Sequence, residues 1–243
     1  MPILFIYMIC IKFIYKVIFI GKFIMHKTVQ NLIYIEGLIK STVNDLIDHK
    51  LPKIIAVSKT FSIDKVFPMI EYGHIDYGEN KVQEAIDKWT NIKFENPNIK
   101  LHLIGKLQTN KVKLAIKIFD YIHSLDSERL ATKIAEEQLK QGKKLKIFIQ
   151  VNIGNEDQKS GLNKEKLIDF YKFCKNLNLD IIGTMCIPPN NDKTENYFSE
   201  MNAINRKLNF EDLSMGMSGD YLYAVKNNAT YVRIGSKIFG NRD

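Results

Sequence analysis

Between residues 54 and 240 the chain alternates eight times between a short apolar run and a segment with helical spacing. The runs are IIAVSK (54–59), HIDYGEN (74–80), KLHLIGK (100–106), YIHSLD (121–126), KIFIQVN (146–152), LDIIGTMC (179–186), DLSMGMS (212–218) and the opening of TYVRIGSKIFG (230–240). Short apolar runs bounded by turn signals read as buried strands, and the amphipathic stretches between them as crossover helices. One of these, SERLATKIAEEQLKQG, starts on a serine and stops at Gly142, as capping physics favours. Repeated strand–helix units require a parallel sheet with right-handed crossovers. Eight of them predict an α/β fold, a single closed (β/α)8 TIM barrel. An open doubly wound sheet is the alternative, but it usually carries a glycine-rich first turn, and SKTFS has no glycine. Residues 28–47 add an N-terminal helix that caps or flanks the barrel. No Pro/Gly/Ser linker divides residues 25–243, which predicts one domain.

Residues 1–24 differ from the rest. They are almost wholly apolar, interrupted by Lys12, Lys16 and Lys22. The uncharged run from Met1 to Ile11 is shorter than the ~20 apolar residues a spanning helix needs. The preferred reading is an over-called start with initiation at Met25; a membrane-surface anchor is the alternative. The net charge of +8 comes from scattered lysines without an arginine-rich tract, which argues against nucleic acid as a partner. Three cysteines without ligand spacing imply neither a disulfide frame nor a zinc site and suit the cytoplasm. The five histidines form no H-x-x-x-H pair, so the sequence supports no metal site.

In such a barrel the chemistry sits where strands end. Lys59 lies at that place, and so do Asn80, Gln108, Asp126, Asn152, Met185, Ser218 and Arg233. A lysine at a strand end is most often solvated. Partial burial in a cup would instead expose the amine lone pair needed to condense with an aldehyde. The last two runs put small residues at neighbouring strand ends: Gly216, Ser218 and Gly219, then Gly235 and Ser236. Barrels often bind phosphate after strands seven and eight, on backbone N–H groups. A lysine and a phosphate cradle together fit an aldehyde that bears a phosphate, and pyridoxal 5′-phosphate (PLP) is the leading candidate. An aldolase using Lys59 without PLP stays open on the residues alone. The acids Glu79 and Glu84 of YGENKVQE raise acid–base chemistry, but Glu84 is expected on an exposed helix face.

The segments AVSKT, YGENKVQE, HLIGKLQTNK, KSGL, MCIPP, SMGMSGD and VRIGSKIFG, in this order from about Met25 to Asp243, resemble the pyridoxal phosphate homeostasis proteins (the YggS/PROSC family). The resemblance implies a PLP-binding barrel similar to the N-terminal domain of alanine racemase. It implies that Lys59 holds PLP as a Schiff base, that Ser218, Gly235 and Ser236 bind its phosphate, that Asn80 lines the ring pocket, and that Arg233 faces the pyridine nitrogen. It also implies a role in PLP balance with little or no turnover; the expected protein is a monomer that passes PLP to recipient apo-enzymes. The alternative is a PLP-dependent amino-acid racemase or lyase. The family often has an acid and a glycine after MGMS; here Leu222 and Asn228 stand at those positions. Asn228 suits a positive φ.

Overall fold

The computed structural model describes residues 25–44, 46, 50–156, 160–189 and 191–241; the N-terminal extension considered above lies outside them. Eight parallel strands close into a barrel in sequence order: β1 (Lys53–Val57), β2 (Asp76–Glu79), β3 (Lys100–Leu103), β4 (Tyr121–Leu125), β5 (Lys146–Val151), β6 (Asp180–Cys186), β7 (Asp212–Met217) and β8 (Tyr231–Ile234). β1 pairs with both β2 and β8, with Val57 opposite Gly78 and Ala56 opposite Ile234. All eight expected strands are present.

The helices form an outer sleeve. They are α1 (Lys27–Asn44), α2 (Ile63–Tyr72), α3 (Val82–Glu95), α4 (Val112–Ile118), α5 (Glu128–Gln141), α6 (Leu167–Asn176), α7 (Thr194–Lys207), α8 (Tyr221–Lys226) and α9 (Ser236–Phe239). α1 buries Val29, Leu32, Ile35, Ile39 and Val43, a three-and-four spacing that makes one apolar stripe. It packs on α2, α8 and α9, and Asn31 Nδ2 donates to the Ile238 carbonyl at 2.9 Å. The N-terminal helix therefore flanks the barrel where β8 meets β1 and does not plug its end. α5 stops at Gly142, whose φ of +61° is the left-handed cap conformation that glycine adopts without strain. Asn228 also has a positive φ, +64°, as expected of a residue standing in for glycine.

Two apolar clusters hold the molecule. The larger lies between sheet and sleeve and includes Trp89, Phe119 and Phe198. The smaller fills the barrel interior with Ile55, Tyr121, Phe148, Met185 and Tyr231. Strand alternation sets which residues point inward. Along β4 these are Tyr121 and His123, and along β8 Tyr231 and Arg233, all four within one aromatic and cationic cluster. A barrel interior is ordinarily filled by branched apolar residues. Here polar side chains replace part of that filling.

Candidate functional site

A cavity of about 510 Å³ opens at the C-terminal rim of the barrel. Lys59, Asn80, Ser218, Arg233, Gly235 and Ser236 all line it, with Val57, Phe61, Ile104, Ile187 and Met217 among its apolar walls. Strand pairing explains the convergence. Val57 lies opposite Gly78, so Lys59 and Asn80 leave neighbouring strands together. Met217 lies opposite Arg233, so Ser218 emerges beside Gly235. Asn80 is brought in by close backbone approach: a β-carbon on Gly105 would overlap the Asn80 carbonyl.

The loop that carries Lys59 is a tight turn. The Phe61 N–H donates to the Ser58 carbonyl at 3.2 Å, leaving Lys59 and Thr60 at the central positions. Thr60 has a φ of +69°, a conformation that the third position of a type II turn requires and that usually selects glycine or asparagine. The Glu84 carboxylate accepts the Thr60 N–H at 2.5 Å. Glu84 is therefore half-buried and holds the lysine turn, which corrects its expected place on an exposed helix face. Glu79 anchors the same turn from below. Its fully buried Oε1 accepts from Ser58 Oγ at 2.8 Å, Lys88 Nζ at 2.9 Å and Trp89 Nε1 at 2.9 Å. Lys88 also donates to the Ser58 carbonyl at 2.9 Å. Three donors, one of them cationic, satisfy that buried oxygen. Both acids are committed to structure.

At the opposite wall Ser218 Oγ accepts from the Gly235 N–H at 3.3 Å and more weakly from the Lys237 N–H at 3.5 Å. One hydroxyl and the backbone donors that open α9 thus form a small donor cluster, the chemistry an oxyanion group selects. α9 has only four residues, so the local N–H groups matter here and a macrodipole does not.

Arg233 is 4% exposed. It donates through NH1 to Ser214 Oγ at 2.7 Å and through NH2 to the Cys186 carbonyl at 2.9 Å. Burial lowers its pKa from the ordinary arginine value, opposed by Cys186 and Asp220; the guanidinium still starts so high that it stays charged. Burial likewise pushes the Cys186 thiol up to about 12, which leaves it inert.

Other rim residues do not join the cavity. Asn152 closes its own loop, bonding the Glu156 carbonyl and N–H at 2.8 and 3.2 Å. Met185 belongs to the barrel interior. Gln108 and Asp126 are absent from the cavity wall.

A family model for the N-terminal domain of alanine racemase matches residues 40–243. The pyridoxal phosphate homeostasis protein of Pasteurella multocida is 36% identical over 202 residues, covering 79% of this chain and 87% of that one. The chain belongs to the pyridoxal phosphate homeostasis protein family. The human family member is also 36% identical, over 213 residues, covering 79% of this chain and 77% of its own. Among solved structures of the family, PipY of Synechococcus elongatus with PLP bound superposes with a TM-score of 0.75 at 31% identity, covering 85% of this chain and 100% of PipY. An alanine racemase of Clostridium difficile superposes with a TM-score of 0.66 at 15% identity over 56% of its chain, a likeness of fold.

Among the described residues no helix is long and apolar enough to cross a membrane, and no cluster of His, Cys, Asp and Glu could hold a metal ion.

Proposed function

We propose that this chain binds PLP in the rim cavity and serves PLP homeostasis, holding the cofactor covalently on Lys59. The observation that carries this reading is the convergence of Lys59, Asn80, Ser218, Arg233, Gly235 and Ser236 on one cavity. The residues fit the group: an amine, a hydroxyl–amide donor cluster, apolar walls and a fixed cation meet in a volume typical of cofactor sites. PLP, when bound, supplies an aldehyde for an amine and a ring that can act as an electron sink. Lys59 provides the amine, on a turn fixed by Glu84. Ser218 with the Gly235–Lys237 backbone binds the phosphate, and Asn80 lines the ring. Arg233 faces the ring nitrogen. A guanidinium keeps its protons at any accessible pH, so Arg233 cannot protonate that nitrogen and withholds the strongest form of the electron sink. This favours a carrier that hands PLP to recipient apo-enzymes over a racemase or lyase. The carrier is proposed to be monomeric and cytoplasmic.

The test is loading of the purified protein with PLP, borohydride reduction and peptide mapping. The expected result is a pyridoxyl group on Lys59. A modification confined to another lysine would overturn the assignment. Turnover is tested by deuterium incorporation into L-alanine followed by NMR; a rate near a typical enzymatic ~10 s⁻¹ would restore the enzyme reading.

A further inference from the structure

Five buried side chains join into one hydrogen-bonded line through the barrel interior. Asp76 begins β2 at the N-terminal mouth, and its Oδ1 lies 2.9 Å from His102 Nε2. His102 Nδ1 lies 3.0 Å from His123 Nε2, and His123 Nδ1 lies 2.9 Å from Ser214 Oγ. Ser214 Oγ takes the NH1 donor of Arg233 at 2.7 Å, and Arg233 lines the rim cavity. The line therefore runs from one mouth of the barrel to the other.

The proton inventory fixes its direction. Arginine only donates, an ionised carboxylate only accepts, and a neutral imidazole does one of each. Asp76 accepts, so His102 carries its proton on Nε2 and accepts at Nδ1. His123 must then donate from Nε2 and accept at Nδ1. Ser214 donates to that nitrogen and accepts from Arg233. With both rings neutral every bond is made, and all donors point from the guanidinium toward the carboxylate. Such aligned chains polarise one another.

The surroundings favour neutral rings. His102 stacks on Tyr121 of β4 at 4.2 Å and meets Tyr231 of β8; Lys53 of β1 and Asp120 act on it at longer range. His123 stacks on Phe148 of β5 at 4.3 Å, has Tyr231 at its edge, and faces both His102 and Arg233. Burial and then these neighbours hold His123 well below the ordinary histidine range. Burial also lowers His102, against the pull of Asp76. At the mouth, Asp76 is flanked by His74 and Lys53, while Asp212 faces Lys53 and Lys146.

We propose that Asp76, His102, His123 and Ser214 are positioning residues that fix the Arg233 guanidinium and couple the Asp76 charge to the ring end of the cofactor site. The coupling to cofactor rests on the reading that PLP sits on Lys59 facing Arg233. The line itself does not.

Two measurements test it. In the unloaded protein, histidine ring nitrogen NMR at pH 6.5–8 should show both rings neutral and protonated on Nε2. A ring protonated on Nδ1 would overturn the relay, and this measurement needs no variant. In the PLP-loaded protein, Asp76→Asn removes a charge while keeping an oxygen for His102. Losing that negative charge should move the pH midpoint of the cofactor's visible absorbance down by about half a unit, the scale of one charge through the protein interior. Thr184→Val breaks a buried bond to Asn205 off the line and should leave the midpoint unchanged. An unmoved midpoint in a folded Asp76→Asn protein, or equal movement in Thr184→Val, would overturn the coupling. A wild-type protein without a visible band would instead sink the Lys59 reading and leave the NMR result to decide the relay.

Discussion

A single side chain carries the attachment proposed above, and its removal is the sharpest residue-scale test. Lys59 is only partly buried on an exposed rim turn, so its truncation removes little packing. Lys59→Ala should abolish covalently held PLP while circular dichroism and thermal unfolding stay close to wild type; retained borohydride-fixable PLP would contradict this. Ser218 is proposed to carry the phosphate half. Its hydroxyl already sits on the Gly235 N–H, and a charge-assisted bond to a dianion is worth about 1.5–3 kcal/mol. Ser218→Ala should therefore weaken PLP binding by roughly ten- to a hundred-fold and leave pyridoxal, which has no phosphate, almost unaffected. Equal losses for the two ligands would show that Ser218 does not touch phosphate.

At the scale of elements, the lysine turn stores strain. Thr60 is β-branched and sits at φ +69°, a region that costs ordinary L-residues about 1–2 kcal/mol. Asparagine visits it more readily and keeps the backbone N–H that Glu84 accepts. Thr60→Asn should raise the unfolding free energy by about 0.5–1 kcal/mol in urea titrations; a decrease would mean that the threonine side chain makes a compensating contact. This turn also marks what the sequence conceals. The eight strands were legible because each is a short apolar run between turn signals, and β-register then carries Lys59, Asn80, Ser218 and Arg233 to one rim without further information. The left-handed Thr60 and its Glu84 partner were not, because nothing in SKTFS signals a positive φ and Glu84 reads like any helix-face acid. The interior line was hidden for a different reason. Its histidines were sought at helical spacing, whereas the relevant pattern is strand alternation: Tyr121 then His123, Tyr231 then Arg233. Its bonds join residues far apart in sequence, with His123 and Ser214 separated by 91 positions. A polar residue in a strand looks the same from sequence whether it faces solvent or the barrel axis.

The whole molecule pays for that polar interior in its pH dependence. His102 and His123 are fully buried and His74 is half-buried, and burial is the main cause that lowers all three below the ordinary histidine value. In the unfolded chain each regains a pKa of about 6.5. Below that value the unfolded state binds protons that the folded state refuses, so unfolding free energy rises with pH. The contribution is fully present above about pH 6.5 and is lost as pH falls toward the folded values. Each ring adds a slope of up to about 1.4 kcal/mol per pH unit, and His123, the most depressed, should supply its full share between pH 5 and 6. Asp76 acts in a separate window. Burial raises it, but the hydrogen bond from His102 and the neighbouring basic groups His102, His74 and Lys53 outweigh burial and leave it lowered. Its stabilisation is present above its unfolded value of about 3.9 and is lost as pH falls below that. Urea unfolding at pH 5, 6 and 7 should therefore show stability falling by about 1 kcal/mol or more from pH 6 to 5, with a shallower change from 7 to 6. His123→Gln should be less stable at pH 7 yet flatter between pH 6 and 5 by one histidine's share. Stability that stays level from pH 7 to 5 in the wild type would show that these rings accept protons inside the fold, and the neutral, one-directional line from Arg233 to Asp76 would fall with it.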